Sequence, residues 1–233
     1  MRMTDQQSAN TFMNYVGDVE KERHFTTIHP LTKAVLTFYG SMSDMKSQLA
    51  AANDSGAGVF TTLNPLVAAI RKASEVESVH GQLLDLDEAD LDPVLAIMPT
   101  PHMVIETSPG RYHVHWKVHD CLLGQFKDCQ RALAERFDGD LAVCDLPRLV
   151  RIPGFIHQKL DKVTGCLTDP FISHIVSMNN RSAYSLSELF APIGGVPKDR
   201  PKRVAHERFD PQQGIDEGGR NTALTQYCGR LIS

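Results

Sequence analysis

The sequence has no apolar run near the roughly 20 residues that a membrane-spanning helix needs. Its N-terminus, Met1 to Val16, lacks the apolar stretch of a secretory signal. The five cysteines, Cys121, Cys129, Cys144, Cys166 and Cys228, are odd in number and widely spaced, and no two form a C-x-x-C pair. Neither a disulfide framework nor a zinc knuckle is indicated, and the reducing cytoplasm is the expected setting. There is no internal repeat and no low-complexity segment. Nor is there an excess of positive charge: 24 Lys and Arg stand against 28 Asp and Glu, a net charge of −4. That balance argues against a simple basic nucleic-acid binder.

What is present is an ordinary globular chain of 233 residues, 42% hydrophobic and 22% charged, long enough for one large domain or two small ones. Its charge is unevenly placed. "DLDEADLD", Asp85 to Asp92, packs five acids into eight residues, and the remainder of the chain is slightly positive. The clearest basic stretch is "PKDRPKRVAHER", Pro197 to Arg208. A concentrated acidic spot on a near-neutral background suits a cation site better than a generally acidic protein.

Pattern and punctuation place the elements. A helix is expected over roughly 5–24 and another over about 43–52, the latter ended by Asn53-Asp54-Ser55-Gly56. Strands are expected over Gly58–Asn64, over Val79–Asp87, over His102–Thr107 and over Tyr112–Val118. The last two are joined by "SPGR", with Pro and Gly where a tight turn wants them. Leu123, Phe126, Leu133 and Phe137 then follow helical spacing. A short strand is expected near Leu141–Asp145 and another over Phe171–Met178. Ser185 and Glu188 stand in capping-box spacing for a short helix. Residues 193–213 read as a linker, and the tail opens what reads as a new helix in a longer protein. Strands and helices alternate without regular βαβ spacing, so an α+β fold is expected.

Three segments carry the chemistry. Asp85 and Asp87 end an apolar strand and share one face. Fixed there, two carboxylates can share one or two Mg2+ or Mn2+ ions, which favour carboxylate oxygen and keep waters for substrate phosphates. Alone, such acids read more readily as solvated turn residues than as metal ligands. In "CDLPRLVRIPGFIHQK", Asp145 follows a short apolar segment as a candidate third carboxylate, and Arg148, Arg151, His157 and Lys159 follow it. An acid beside several cations suits a metal-bound triphosphate, and Arg forks bind phosphate oxygens bidentately. Alone, the segment reads as a charged surface loop. In "SPGRYHVHW", alternation points His113 and His115 to one face, and Tyr112, Val114 and Trp116 to the other as core residues. Ser108 and the backbone of Gly110 can meet a phosphate there, since glycine lets a ligand approach the main chain.

A D-x-D at a strand end, then S-x-G-x-x-H on a later strand, then an Asp followed by R-x-P-G-x-x-x-x-K, in that order, resembles the archaeo-eukaryotic primase superfamily. Within it the resemblance is to the RepB-like primases and primase-polymerases of plasmids, phages and integrated elements. "NDSGAGVFTTLN" is similar to that group's N-terminal region, and "DEGGRNTALTQYCGRL" to the opening of a helical primase C-terminal domain. The likeness covers about residues 25–195, plus the tail. It implies an RRM-like catalytic sheet (76–195) packed with an N-terminal α/β unit (1–75). A linker (196–213) and the start of a helical domain (214–233) would follow. It implies Asp85, Asp87 and Asp145 as catalytic ligands of two divalent ions. Ser108, Gly110, His113, His115, Arg148, Arg151 and Lys159 would contact the nucleotide, with His115 off the family's pattern and Arg148 placed only by proximity. The implied partners are single-stranded DNA template, NTPs or dNTPs, and a helicase domain or protein.

Two other classes compete. "YHVHW" also fits the His-hydrophobic-His pattern of rolling-circle endonucleases and relaxases, in which a tyrosine attacks the DNA backbone. Tyr184 and Tyr227 are the candidate nucleophiles, though neither lies in the expected motif and "DLD" stays unexplained. The third class is a non-catalytic replication module that binds nucleic acid or a helicase partner.

Overall fold

The computed structural model describes residues 5–87, 89–161 and 163–197. The first compact unit runs over Met1–Asp199, and the expected tail helix and most of the expected linker lie outside the described residues. No described helix is long and apolar enough to cross a membrane.

Two four-stranded antiparallel sheets build the first unit. Strands β1 (Arg23–Ile28), β2 (Val35–Gly40), β3 (Gly58–Thr62) and β7 (Leu149–Arg151) form one, in the order β2-β1-β3-β7. Strands β4 (Gly81–Leu86), β5 (Met103–Ser108), β6 (Arg111–Lys117) and β10 (His174–Met178) form the other, in the order β10-β5-β6-β4. A small pair, β8 (Ile156–His157) with β9 (Phe171–Ile172), completes the strands. The fold is α+β, as expected. The hairpin β1–β2 has no counterpart among the strands expected from pattern.

Alternation along the second sheet separates two cores. Leu84, Leu86, Val104, Val114 and Trp116 face one side and pack against α3 (Asp92–Ile97), α4 (Leu123–Phe137) and α5 (Leu186–Phe190). Leu83, Met103 and Ile105 face the other side, toward the first sheet, α1 (Gln6–Val16) and α2 (Met42–Asp54). The second sheet with its helical layer answers the RRM-like expectation. The first sheet borrows β7 from far downstream, so the two expected parts are interlaced within one unit.

Three expected elements differ. The first helix stops at Val16 rather than continuing to residue 24, because Gly17 follows at φ 165° and the chain turns into β1. Leu141–Asp145 is not a strand: the Asp140 carboxylate accepts the Ala142 N–H at 2.8 Å, which folds the backbone into a turn, and Val143 drops into the core. The strand expected over 171–178 is broken at Ser173, whose backbone binds Gly154 and Phe155 between β9 and β10.

Gly154 ties the first helix to the loop after β7. The Asp5 amide donates to its carbonyl at 2.8 Å, its φ is +88°, and a Cβ there would collide with the Asp5 carbonyl oxygen. Helix α1 lays Phe12, Met13, Tyr15 and Val16 into the first core. His115 sits beneath that helix, fully buried, with the rings of Phe12 and Tyr15 at 5.9 and 5.7 Å. Burial holds its pKa well below the ordinary value, with His113 and His80 adding to the depression. Burial, with Lys117 and Arg23, pushes neighbouring His80 down to about 4.

Gly154→Ala costs roughly 2 kcal/mol or more of stability, a steric clash added to a left-handed backbone. Gly110→Ala, also at positive φ but with nothing within 4 Å of the added carbon, costs only about 1 kcal/mol. Thermal midpoints order the two variants, and equal losses would contradict the anchoring role of Gly154. The buried histidines set an acid slope. Their folded pKa values lie below the unfolded one, so the unfolded chain binds more protons as pH falls below about 6.5. Stability is therefore lost toward acid at about 1.4 kcal/mol per pH unit per histidine, until the folded pKa is reached. His115→Leu makes the loss of urea midpoint between pH 7 and pH 5 shallower than in the wild type.

Candidate active site

The face of the second sheet that carries Leu83, Met103 and Ile105 turns polar toward one end of its strands. Leu83 is followed on its face by Asp85, Ile105 by Thr107, and His115 is preceded by His113. A cavity of about 220 Å3 opens there. Asp85, Asp87, Thr107 and His113 line it from the second sheet, Phe60, Arg148 and Arg151 from the first, and His157 and Lys159 from the β8 segment. The apolar core and the polar cavity are thus successive stretches of one inter-sheet seam.

Asp85 and His113 are cross-strand partners in the β4–β6 register, with His113 Nε2 at 3.5 Å from Asp85 Oδ2. Burial pushes the Asp85 carboxyl up, but His113, Lys159 and Arg148 outweigh it and hold the pKa below the ordinary carboxylate value. Asp85 is therefore an anion at neutral pH despite its burial. Asp87 lies one residue past the strand and is more exposed. Arg111 Nη1 approaches its Oδ1 at 2.9 Å and Lys159 Nζ at 3.4 Å.

Arg151 is the least satisfied cation on the wall. Its Nη1 is buried without a hydrogen-bond partner, and its guanidinium lies over the Phe60 ring at 4.6 Å. Burial lowers its pKa to about 10, partly offset by Asp85, so it stays charged. Gly58 makes room for it, since a Cβ there would come within 2.9 Å of that nitrogen. A buried cation with a free donor is costly unless something negative meets it. The cavity sets that cation beside two carboxylates.

His157 also stands on this wall. Its Nδ1 is 2.7 Å from the Thr107 carbonyl oxygen, and burial next to Arg151 and Lys159 pushes its pKa to about 3. It is neutral at working pH, with Nδ1 protonated to donate to that carbonyl. The sequence groups His157 with the basic residues and gives it no role; what seats it is pairing across β8 and β9, which local pattern does not reveal. Arg111 carries no signal of its own either, although it ends the "SPGR" turn.

A second cavity of about 300 Å3 shares Lys159 and His157 with the first and adds Ser108, Pro109, Arg111, Thr168, Asp169 and Phe171. The Ser108 hydroxyl is buried without a partner. Gly110 lines neither cavity: its φ is +72°, and its N–H donates to the Glu106 carboxylate at 2.9 Å. The amide expected to face a phosphate closes the turn instead. His115 departs further from its expected place. It shares a face with His113, but lies under α1 in the core, where both of its ring nitrogens are unpartnered and no nucleotide reaches.

Asp145 stands apart from the other two carboxylates. It forms an ion pair with Arg148, which also donates to the Ala142 carbonyl, and it is not on the cavity wall. Among the described residues, no three His, Cys, Asp or Glu side chains converge as ligands for one ion. Asp85 and Asp87 by themselves fit a hard divalent cation: two carboxylates on one wall, one of them already ionised against burial.

Comparison with known proteins places this geometry. Residues 40–169 match the family model described as the RepB DNA-primase N-terminal domain. The N190 AEP domain of the cyanophage S-2L primase-polymerase superposes with a TM-score of 0.64 at 15% identity, covering 84% of this chain and all of that one. The primase RepB′ superposes with a TM-score of 0.57 at 21% identity, covering 76% of this chain and 57% of that one. The RepB′ catalytic domain in complex with initiator DNA gives 0.52, covering 76% and 86%. Mobilization protein A of Escherichia coli is 35% identical over 96 residues, 40% of this chain and 14% of that protein's length. With more than half of its length matched by one family model and its sheets arranged as in these neighbours, the chain belongs to the RepB DNA-primase N-terminal domain family and has the archaeo-eukaryotic primase-polymerase fold.

Proposed function

We propose that this protein is a DNA primase or primase-polymerase that joins NTPs or dNTPs on a single-stranded DNA template. The observation that carries the reading is the meeting, in one cavity, of Asp85 and Asp87 with Arg151, a buried cation that has a nitrogen free. Nucleotidyl transfer needs a place where carboxylates hold divalent metal and cations hold phosphate within one small volume.

In this reading Asp85 and Asp87 hold Mg2+ or Mn2+, and Asp145 joins them by exchanging its ion pair with Arg148. The metal supplies charge neutralisation at the attacking hydroxyl and at the leaving pyrophosphate. Arg151 gives its free donor to a phosphate oxygen, Lys159 adds a second charge, and Arg148, once released, adds a third. His113 fixes the Asp85 carboxylate from the neighbouring strand. His157, neutral, presents a ring edge that neither repels the cations beside it nor competes for the anion. Catalysis is positioning and electrostatics, with no protein nucleophile. The initiator DNA bound by one structural neighbour supports a DNA template.

The name of the Escherichia coli relative lends some support to a second reading, DNA nicking by a His-hydrophobic-His enzyme. The geometry of the described residues does not favour it. His115 is sealed in the core, and Tyr184 packs with the core on the opposite face of the sheet, its hydroxyl donating to the Thr100 carbonyl at 3.1 Å. Tyr227 lies outside the described residues.

The deciding experiment incubates the protein with single-stranded DNA, Mn2+ and labelled NTPs or dNTPs, without a primer. Labelled dinucleotides or longer products are expected, and their sugar gives the nucleotide preference. Asp85→Ala with Asp87→Ala abolishes the products while the thermal midpoint stays within a few degrees of wild type. Near wild-type synthesis by that double variant would sink the mechanism. A covalent 5′-phosphotyrosyl adduct would replace it with the nicking reading, and no incorporation under any metal would favour a binding module.

A further inference from the structure

Arg111 occupies a position that the proposed reaction does not yet use. It stands between two cavities. Its guanidinium is paired with Asp87, which lines the first cavity, while Arg111 itself lines the second. Lys159 has the same double attachment: it pairs with Asp87 and lines both. On the wall of the second cavity the Ser108 hydroxyl is buried and unpartnered, which marks a polar contact still to be made. Among the described residues on that wall the one acid, Asp169, is solvent-exposed. Asp87 therefore holds two cations that both face a neighbouring space of about 300 Å3.

We infer that Arg111 is a polyphosphate-binding residue held in reserve by Asp87: a divalent cation that takes the Asp87 carboxylate releases Arg111, with Lys159, to the phosphate oxygens of the nucleotide in the Ser108 cavity. A carboxylate cannot fully serve a metal ion and two side-chain cations at once, since the ions repel each other and compete for the same lone pairs. The released guanidinium is a planar fork suited to phosphate. The exchange makes metal binding and nucleotide binding mutually reinforcing. Without metal, the cations are occupied and bare phosphate is held poorly; with it, the same side chains become the anion's ligands. The inference rests on the nucleotidyl-transfer reading for its substrate, but its test does not.

The test measures binding of inorganic tripolyphosphate to the full chain by calorimetry in EDTA, so that no metal takes part. Asp87→Asn keeps the side-chain shape, removes the charge and frees both cations. It binds tripolyphosphate roughly fivefold or more tighter than wild type, the scale of one additional charge-assisted hydrogen bond. Asp90→Asn removes a charge from the same loop without freeing a cation and stays within about twofold of wild type, which controls for the general field. Adding Arg111→Gln to Asp87→Asn lowers the affinity again, leaving only the share of the increase that Lys159 supplies. An Asp87→Asn affinity no better than that of Asp90→Asn, or a double variant as tight as Asp87→Asn, overturns the inference. Should the binding cycle behave as expected while primer-free synthesis fails, the exchange stands and the polymerase reading falls. Should synthesis succeed while the cycle is flat, the reading stands and Arg111 has no part in it.

Discussion

One side chain holds the strand that carries Asp85 in place. Gln130, on α4, is 1% exposed and bridges the outer edge of β4: its amide oxygen accepts the Leu83 N–H at 2.9 Å, and its amide nitrogen donates to the Leu83 carbonyl at 2.9 Å. The same nitrogen reaches the Val143 carbonyl at 3.1 Å. β4 is an edge strand, and an edge strand carries unpaired backbone groups that invite slippage or foreign pairing. Gln130 satisfies them as a further strand would, while the Asp140 amide covers the Asp85 carbonyl at 3.0 Å. Two residues beyond Leu83 stands Asp85, and Val143 leads into the loop with Asp145 and Arg148. A single amide thus fixes the relative position of the two acid-bearing segments. Removing it would strand buried donors and acceptors at about 1–3 kcal/mol each.

Around that anchor, the site is arranged as a set of counter-ions in waiting. Asp85 faces His113, Asp87 faces Arg111 and Lys159, and Asp145 faces Arg148. Each acid is held by a nearby partner and none by a rigid cage, which suits a site whose ligands bring their own charge. Arg151 is the exception, fixed over Phe60 with an unsatisfied nitrogen. The other cations of the cavity, Arg148 and Lys159, are each paired with a carboxylate.

Much of this is legible in the sequence. Alternation along "LLDLD" and "YHVHW" puts Asp85 with Asp87 and His113 with His115 each on one face of a strand, because a buried two-faced sheet enforces period two; that Asp85 stands opposite His113 comes from the strand register. The long helix from Leu123 and the capping box at Ser185 are equally local and equally readable. What is not legible depends on partners distant in the chain. His115 carries the same alternation signal as His113, and only the placement of α1 above it turns a site-facing position into a core one. Gly110 carries a phosphate-loop signal, but the Glu106 carboxylate takes its amide. His157 and Arg111 owe their roles to strand pairings and an ion pair, neither of which leaves a mark on local pattern.

Asn53 illustrates how late the site can come into being. The sequence marks it as part of a helix-ending turn, and the helix does end there; yet it is 1% exposed and clamps the segment that precedes His157. Its side chain binds the Ala57 carbonyl and both backbone groups of Ile156, a residue 103 positions later, beside His157. β3 meanwhile waits for β7 to supply Arg151. Closing such long loops is entropically slow and is rewarded only when the final contacts form. A nascent chain emerging from the ribosome therefore lacks the Arg151, His157 and Lys159 wall of the cavity until residues 149–172 have been synthesised. The polar cavity is completed only when segments far apart in the chain have met.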